Sequence, residues 1–195
     1  MAAYQQVSVP KQSNNQGLAN GKKNVIIVFD FDKVKKYERD EKGVVLTKLA
    51  FDDGGNSPYR PIGIFVDESS IEAGDTVGGE SYGRGYNHNF KFNHPGDDLA
   101  FAEFKANNIN ASLGVIYVPC DSTKEYCKVY GTPCQPLKMT KADEVDTKEN
   151  NRQEVELATD SLTYPVGRIP RSAVPMTDNS EINSYLGVDS CQFGV

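Results

Sequence analysis

"NVIIVFDFDKVKKYERDEKGVVLTKLAF", residues 24–51, admits two folds. An apolar run ending in Asp30 and Asp32 can open a parallel α/β enzyme, or it can be one arm of an antiparallel hairpin. The first reading needs a helical crossover next, because parallel strands cannot be joined by a tight turn. The chain instead runs into the turn cluster "RDEKG" and a second strand-like run, "VVLTKLAF". That order predicts a hairpin. Within the first run, Val25, Ile27, Phe29 and Phe31 share one face and Ile26, Val28, Asp30 and Asp32 the other.

Working outward, "DDGGNSPYRP" is a loop and "IGIFVDES" a third strand. Residues 70–85 are Gly-rich and read as a loop or irregular edge. In "YNHNFKFNHPGDD", residues 86–98, Tyr86, His88, Phe90, Phe92 and His94 alternate with Asn87, Asn89, Lys91 and Asn93. That is a half-buried strand. Pro95-Gly96 stops it, and Asp97 is positioned to cap a helix over about 97–108, the one helix the sequence announces. Leu99, Ala102, Ala106 and Ile109 mark its expected apolar line. Residues 114–130 form a second hairpin, with Cys127 expected opposite Val118. "CQPLKMT" is a candidate strand, "KADEVDTKENN" a charged turn, and "RQEVELAT" a strand with Val155 and Leu157 on its dry side. From Ser161 the chain is Pro-rich and reads as extended.

These elements predict a mainly β chain: an antiparallel β-sandwich or barrel with one packed α-helix. Residues 1–23, rich in Gln, Asn, Ser and Lys, read as an N-terminal arm, 24–170 as the core domain, and 171–195 as an extended C-terminal tail. The chain has 195 residues, 38% of them hydrophobic, with 17 Gly and 10 Pro. No run approaches a membrane span, and the start lacks the pattern of a secretory signal. The net charge of −6 divides into +3 over residues 1–60, −4 over 61–140 and −5 over 141–195. Such a chain does not grip nucleic acid with its general surface.

Four motifs invite chemistry. His88 and His94 with Asp97 and Asp98 suggest a metal site. Six residues of strand separate the histidines by roughly 20 Å at about 3.3 Å per residue, too far to share one ion. Asp30-x-Asp32 after an apolar strand matches the nucleophile and acid/base pair of a Mg-dependent haloacid-dehalogenase-type phosphatase, the enzymatic alternative. The hairpin context and the lack of later lysine and Ser/Thr motifs oppose it. "GGESYGRGY" has glycines for a phosphate nest but no Lys-Ser/Thr after them. Cys120, Cys127 and Cys134 recur at seven-residue spacing, too wide for the usual zinc pairs, and read with Cys191 as reduced thiols. No catalytic, cofactor-binding or metal residues are therefore assigned, and the chain reads as a non-enzyme.

The stretches "VIIVFDFDKV", "RDEKGVVLTKLAF", "ESYGRGYNHNFKFNHPGDDLAFAEFKANNINASLGVIYV", "GTPCQPLKM" and "NRQEVELATDSL" together resemble the major tail tube proteins of tailed bacteriophages, of the type infecting gut Bacteroidetes. The resemblance implies a β-rich subunit with a flanking helix. Six copies would form a ring, and rings would stack into a virion tail tube that conducts DNA. It implies other tail proteins as partners, transient non-specific passage of DNA, no membrane, and synthesis in the bacterial host cytoplasm. Another tail or neck ring component, such as a terminator or baseplate ring, is the related alternative, and a generic β-sandwich binding module a further one. The faces carrying Glu154 and Glu156, or Asp30 and Asp32, are the expected lumen surfaces. The Gly-rich loop at 73–85 and both termini are the expected contacts between rings.

Overall fold

The structure, a computed structural model, describes residues 22–52, 54, 58–121, 124–147 and 151–188. The expected arm at 1–23 lies outside them except at its last two positions. The described residues form eleven strands and two α-helices, so the chain is mainly β, as its patterning predicts. The strands are β1 (Lys22–Asp30), β2 (Val34–Arg39), β3 (Leu46–Phe51), β4 (Ile62–Phe65), β5 (Glu72–Gly78), β6 (Gly85–Pro95), β7 (Leu113–Pro119), β8 (Tyr126–Tyr130), β9 (Leu137–Asp146), β10 (Asn151–Thr159) and β11 (Gly167–Pro170). The helices are α1 (Leu99–Asn108) and α2 (Ser180–Leu186).

β1 lies antiparallel between β4 and β7. β7 continues through β8 to β11, while β9, β10, β6 and β5 lie side by side in a second row. The two rows join through the single pair Leu113↔Leu137. Past that corner they face each other as a sandwich. Ile26, Val28, Val115 and Tyr117 from one row meet Phe90, Phe92, Val155 and Leu157 from the other, and Phe101 and Phe104 of α1 join the same cluster. The opposite side of the β1 row is also covered. There Val25, Ile27, Phe29, Ile116 and Val118 pack with Leu46 and Phe51 of the β2–β3 hairpin and with Val174, Leu186 and Val188. The two faces of β1 match the alternation in its sequence, but both are buried. Each fully buried aliphatic or aromatic side chain contributes about 1.5–3 kcal/mol, so the doubly covered row is where most stability is stored.

Five sequence-based expectations change. The apolar run does not pair with residues 46–51. A 3-10 turn at Phe31–Lys33, capped by Asp30 Oδ1 accepting from the Asp32 N–H at 2.9 Å, redirects the chain. The hairpin therefore forms one segment later, between β2 and β3, around the anticipated turn. The Gly-rich region, by contrast, keeps one of its two readings: it is an edge strand, β5, paired with β6 along its whole length. "KADEVD" extends β9 rather than turning, because β10 offers a full antiparallel partner and carboxylates for its lysine. Asp98, not Asp97, caps α1 by accepting from the Ala100 N–H. The helix buries Phe101 and Phe104, leaving Leu99 74% and Ile109 56% exposed. Rings fill the space above β6 better than the thinner Leu-Ala-Ala-Ile line: Phe101 stacks on His94 at 4.4 Å and meets Phe92 edge-on. Finally, residues 171–188 are not extended. They hold α2, capped by Asn179, and three core residues. Asn183 anchors the segment with hydrogen bonds to Thr177.

Candidate functional site

The two histidines sit on the same face of β6 and do different work. His88 is fully buried. Its Nδ1 accepts from the Gly131 N–H at 2.9 Å, so the ring proton lies on Nε2, which donates to the Tyr164 carbonyl at 2.8 Å. Burial pushes its pKa below the usual histidine value, with the Tyr164 carbonyl and Asp75 opposing. His94 donates from Nδ1 to the Phe65 carbonyl and carries Phe101. Among the described residues no group of three His, Cys, Asp or Glu is placed to hold a metal ion. Asp30 ends a strand flanked by antiparallel neighbours, and its carboxylate closes a local turn. That is not the parallel-sheet setting a haloacid-dehalogenase nucleophile needs, and Asp30 and Asp32 do not lie on a wet sheet face. The glycines at 79–84 form the β5–β6 turn. At Gly79, with φ +92°, a Cβ would lie 2.2 Å from the Gly83 carbonyl oxygen. Cys127 is buried, while Cys120 and Cys134 are exposed. The pair Tyr117↔Lys128 sets a register in which the next step places Val118 opposite Cys127, as the sequence predicts.

Two surfaces remain. The first is the outer face of β9, β10, β6 and β5. The charges that alternate with the buried residues of β10 are paired, across strands with β9 and β6 and along β10 itself. Lys141 Nζ is 2.9 Å from Glu154, Arg152 is 2.8 Å from the same carboxylate, and Lys91 is 3.3 Å from Glu156. Lys141 and then Arg152 hold the Glu154 carboxyl down to about 2. Glu154 and Glu156 lie on the outer face, as their sequence pattern indicates, but they are half-buried there and do not make an acidic wall. Each is matched by a cation from a neighbouring position.

The second surface is a cleft of about 1010 Å³ at one end of that sheet, which the sequence does not announce. Its walls come from the β2–β3 turn, the start of β6, the approach to β9 and the segment after β10. Arg39 ties them together. Its guanidinium donates to the carbonyls of Gly43 and Pro165 and to the Tyr37 hydroxyl, and lies 5.5 Å from the Tyr164 ring centre. Such a fork serves several acceptors in one plane. Lys42 and Arg84 line the cleft and are exposed. The Asp40 carboxylate is occupied by the amides of Val44 and Val45, and those hydrogen bonds lower its pKa.

Compared with known proteins, the chain matches no family model, and no curated protein or solved structure is significantly similar to it. Among the described residues no helix is long and apolar enough to cross a membrane.

Proposed function

We propose that this chain is a structural virion protein, a phage tail tube subunit that forms hexameric rings stacked around a DNA channel. The observation that carries the reading is the outer face of the β9–β10–β6–β5 sheet. It is a broad polar strand surface on which Lys91, Lys141 and Arg152 are already engaged by Glu154 and Glu156, and Lys138 by backbone carbonyls. A DNA backbone passing such a face gains phosphate contacts only by displacing partners these cations already have, so it is not held. The wall works by internal neutralisation rather than by the acidic repulsion its glutamates suggest in isolation.

Sheet edges support assembly. Among the described residues β5 has β6 as its only strand neighbour, and β4 has only β1. Open edges are templates on which another chain can add. The reading places the mature protein in the virion tail, after synthesis in the bacterial host cytoplasm, with other tail proteins as partners. Negative-stain electron microscopy of concentrated protein tests it, with rings or tubes of uniform diameter expected. A chain that remains monomeric in sedimentation velocity and gives no rings overturns it.

A further inference from the structure

The cleft has the size, the walls and the charge of a ligand site. At about 1010 Å³ it stands at the upper end of the roughly 300–1,000 Å³ typical of small-molecule sites. Every residue that lines it is described. Its walls are turns closed by their own hydrogen bonds, so its shape does not wait for a ligand. The Gly43 N–H donates to the Asp40 carbonyl, and Thr132 and Gln135 exchange backbone bonds before β9 begins. The Thr132 and Thr163 hydroxyls, 2.8 Å apart, join that turn to the segment after β10.

Charge sets the cleft apart from the rest of the molecule. Three cations, Arg39, Lys42 and Arg84, line it against two carboxylates, Asp40 and Glu41, in a chain of net charge −6. Asp40 spends its carboxylate on the amides of Val44 and Val45. Arg39 is half-buried and donates to two carbonyls and a hydroxyl. Among the described residues it meets no carboxylate at ion-pair distance. A cation withdrawn from water costs free energy unless an anion stands beside it. Tyr164 adds a second demand. Its ring centre lies 5.5 Å from the Arg39 guanidinium, yet the residue is 65% exposed, so most of the ring is open to a planar partner.

An inorganic anion would meet the cations and leave most of the volume and the Tyr164 ring unused. A neutral sugar would use the ring and the hydroxyls and leave the cations unpaired. A ligand that joins an anionic group to a planar ring answers both demands. We infer that the cleft binds a nucleoside phosphate, with the phosphates held by Lys42 and Arg84 in the field of Arg39 and the base stacked on Tyr164. No bond is made or broken in this binding. The inference goes beyond the tube reading and does not depend on it.

Isothermal titration calorimetry on the full chain tests it, with four probes: ADP, adenosine, inorganic diphosphate and a tetraglutamate peptide. The variants are K42A/R84A and Tyr164→Ala, all at exposed positions, and thermal unfolding by circular dichroism checks that each folds. ADP is expected to bind saturably, and adenosine and diphosphate each more weakly than ADP by about fivefold or more. K42A/R84A should weaken ADP by about tenfold or more, because two charge-assisted contacts are lost. Tyr164→Ala should weaken ADP by about fivefold or more and leave diphosphate unchanged. Absence of saturable ADP binding, wild-type ADP affinity in K42A/R84A, or tighter binding of tetraglutamate than of ADP overturns the inference. Diphosphate that binds as tightly as ADP, with Tyr164→Ala unchanged, overturns it too, since that describes an anion site without a ring. None of these outcomes bears on whether the chain forms rings, so the two readings fail separately.

Discussion

In β1, residues 25–29 are all buried, whereas in β10 Gln153, Val155, Leu157 and Thr159 are buried and the residues between them are not. The first strand is covered by β6 and β10 on one side and by the β2–β3 hairpin and the α2 segment on the other. Among the described residues the second is covered on one side only. A strand covered twice needs apolar residues in succession, and a strand covered once needs alternation. The difference also separates two jobs. The β1 row stores stability, and the β10 row presents a surface.

The strongest way to break this comparison is to cut into the doubly covered row. Phe29→Ala removes a ring that packs edge-on against Phe31 and Phe51. It is expected to cost about 3–5 kcal/mol in denaturant unfolding, a large share of a typical domain's stability. Glu156→Ala on the presenting row is expected to change stability by no more than about 1 kcal/mol. Similar costs for the two would mean that the rows are not specialised.

Gly114 sharpens the point within β7. A Cβ there would meet the Phe29 ring at 2.3 Å, so strand and ring share one space. Gly114→Ala is expected to cost about 1–3 kcal/mol through overpacking. In a Phe29→Leu background the cost should shrink, and a double-mutant cycle would report the coupling. Additive costs would show that the close approach is relieved elsewhere.

His88 links the presenting row to the cleft, and its effect is set by pH. Its folded pKa lies below the unfolded value of 6.5, so the unfolded chain binds the proton more readily. Stability from the neutral ring is therefore complete above about 6.5 and declines as pH falls from there toward the folded pKa. Protonation places a hydrogen on Nδ1, where Gly131 already donates. The wild-type minus His88→Asn difference in unfolding free energy should fall with acid across that window. A flat difference would mean that the ring keeps its proton count on unfolding.

Glu154 behaves in the same direction at lower pH, with a smaller effect because its partners are open to solvent. Its pKa falls from 4.5 to about 2 on folding. The pairing is complete above about 4.5 and is lost as pH drops through that value toward about 2. The thermal midpoints of wild type and Glu154→Gln should differ at neutral pH and converge at the acid end. A difference that persists there would assign the effect to shape rather than charge.

The elements that sequence made legible are those whose periodicity is local. β6, with Tyr86 to His94 on one face, and β10, with Val155 and Leu157, carry their burial in their own alternation. Loop length alone was enough to set the β7–β8 register. What stayed hidden depends on partners distant in the chain. "KADEVD" looks like solvent-loving turn until β10 lies beside it and Glu154 meets Lys141. Residues 174–188 look extended until Asn183 clasps Thr177 and Leu186 finds the back of β1. The cleft draws on four segments between residues 37 and 165, so no window of sequence contains it. Glu154 and Glu156 were legible as an outer face, but their pairing with Lys141 and Lys91 was not, because it depends on which residues lie across the strand boundary.

Leu99 on helix α1 carries the smallest expected effect and tests the comparison at its margin. Its sequence offers two apolar lines, Leu99-Ala102-Ala106-Ile109 and Phe101-Phe104, and spacing alone does not choose between them. The sandwich chooses the rings, because Phe101 meets Phe92 and His94 across α1's junction with β6. Leu99 is left in solvent at 74% exposure. Leu99→Ser should therefore shift the stability of isolated subunits by no more than about 0.5 kcal/mol, while Phe104→Ala costs about 3–5 kcal/mol. Chemical denaturation of dilute protein measures both. A large loss for Leu99→Ser would place the Leu-Ala-Ala-Ile line in the core. A loss that emerged only in concentrated, associated protein would instead make Leu99 part of a surface that another chain covers.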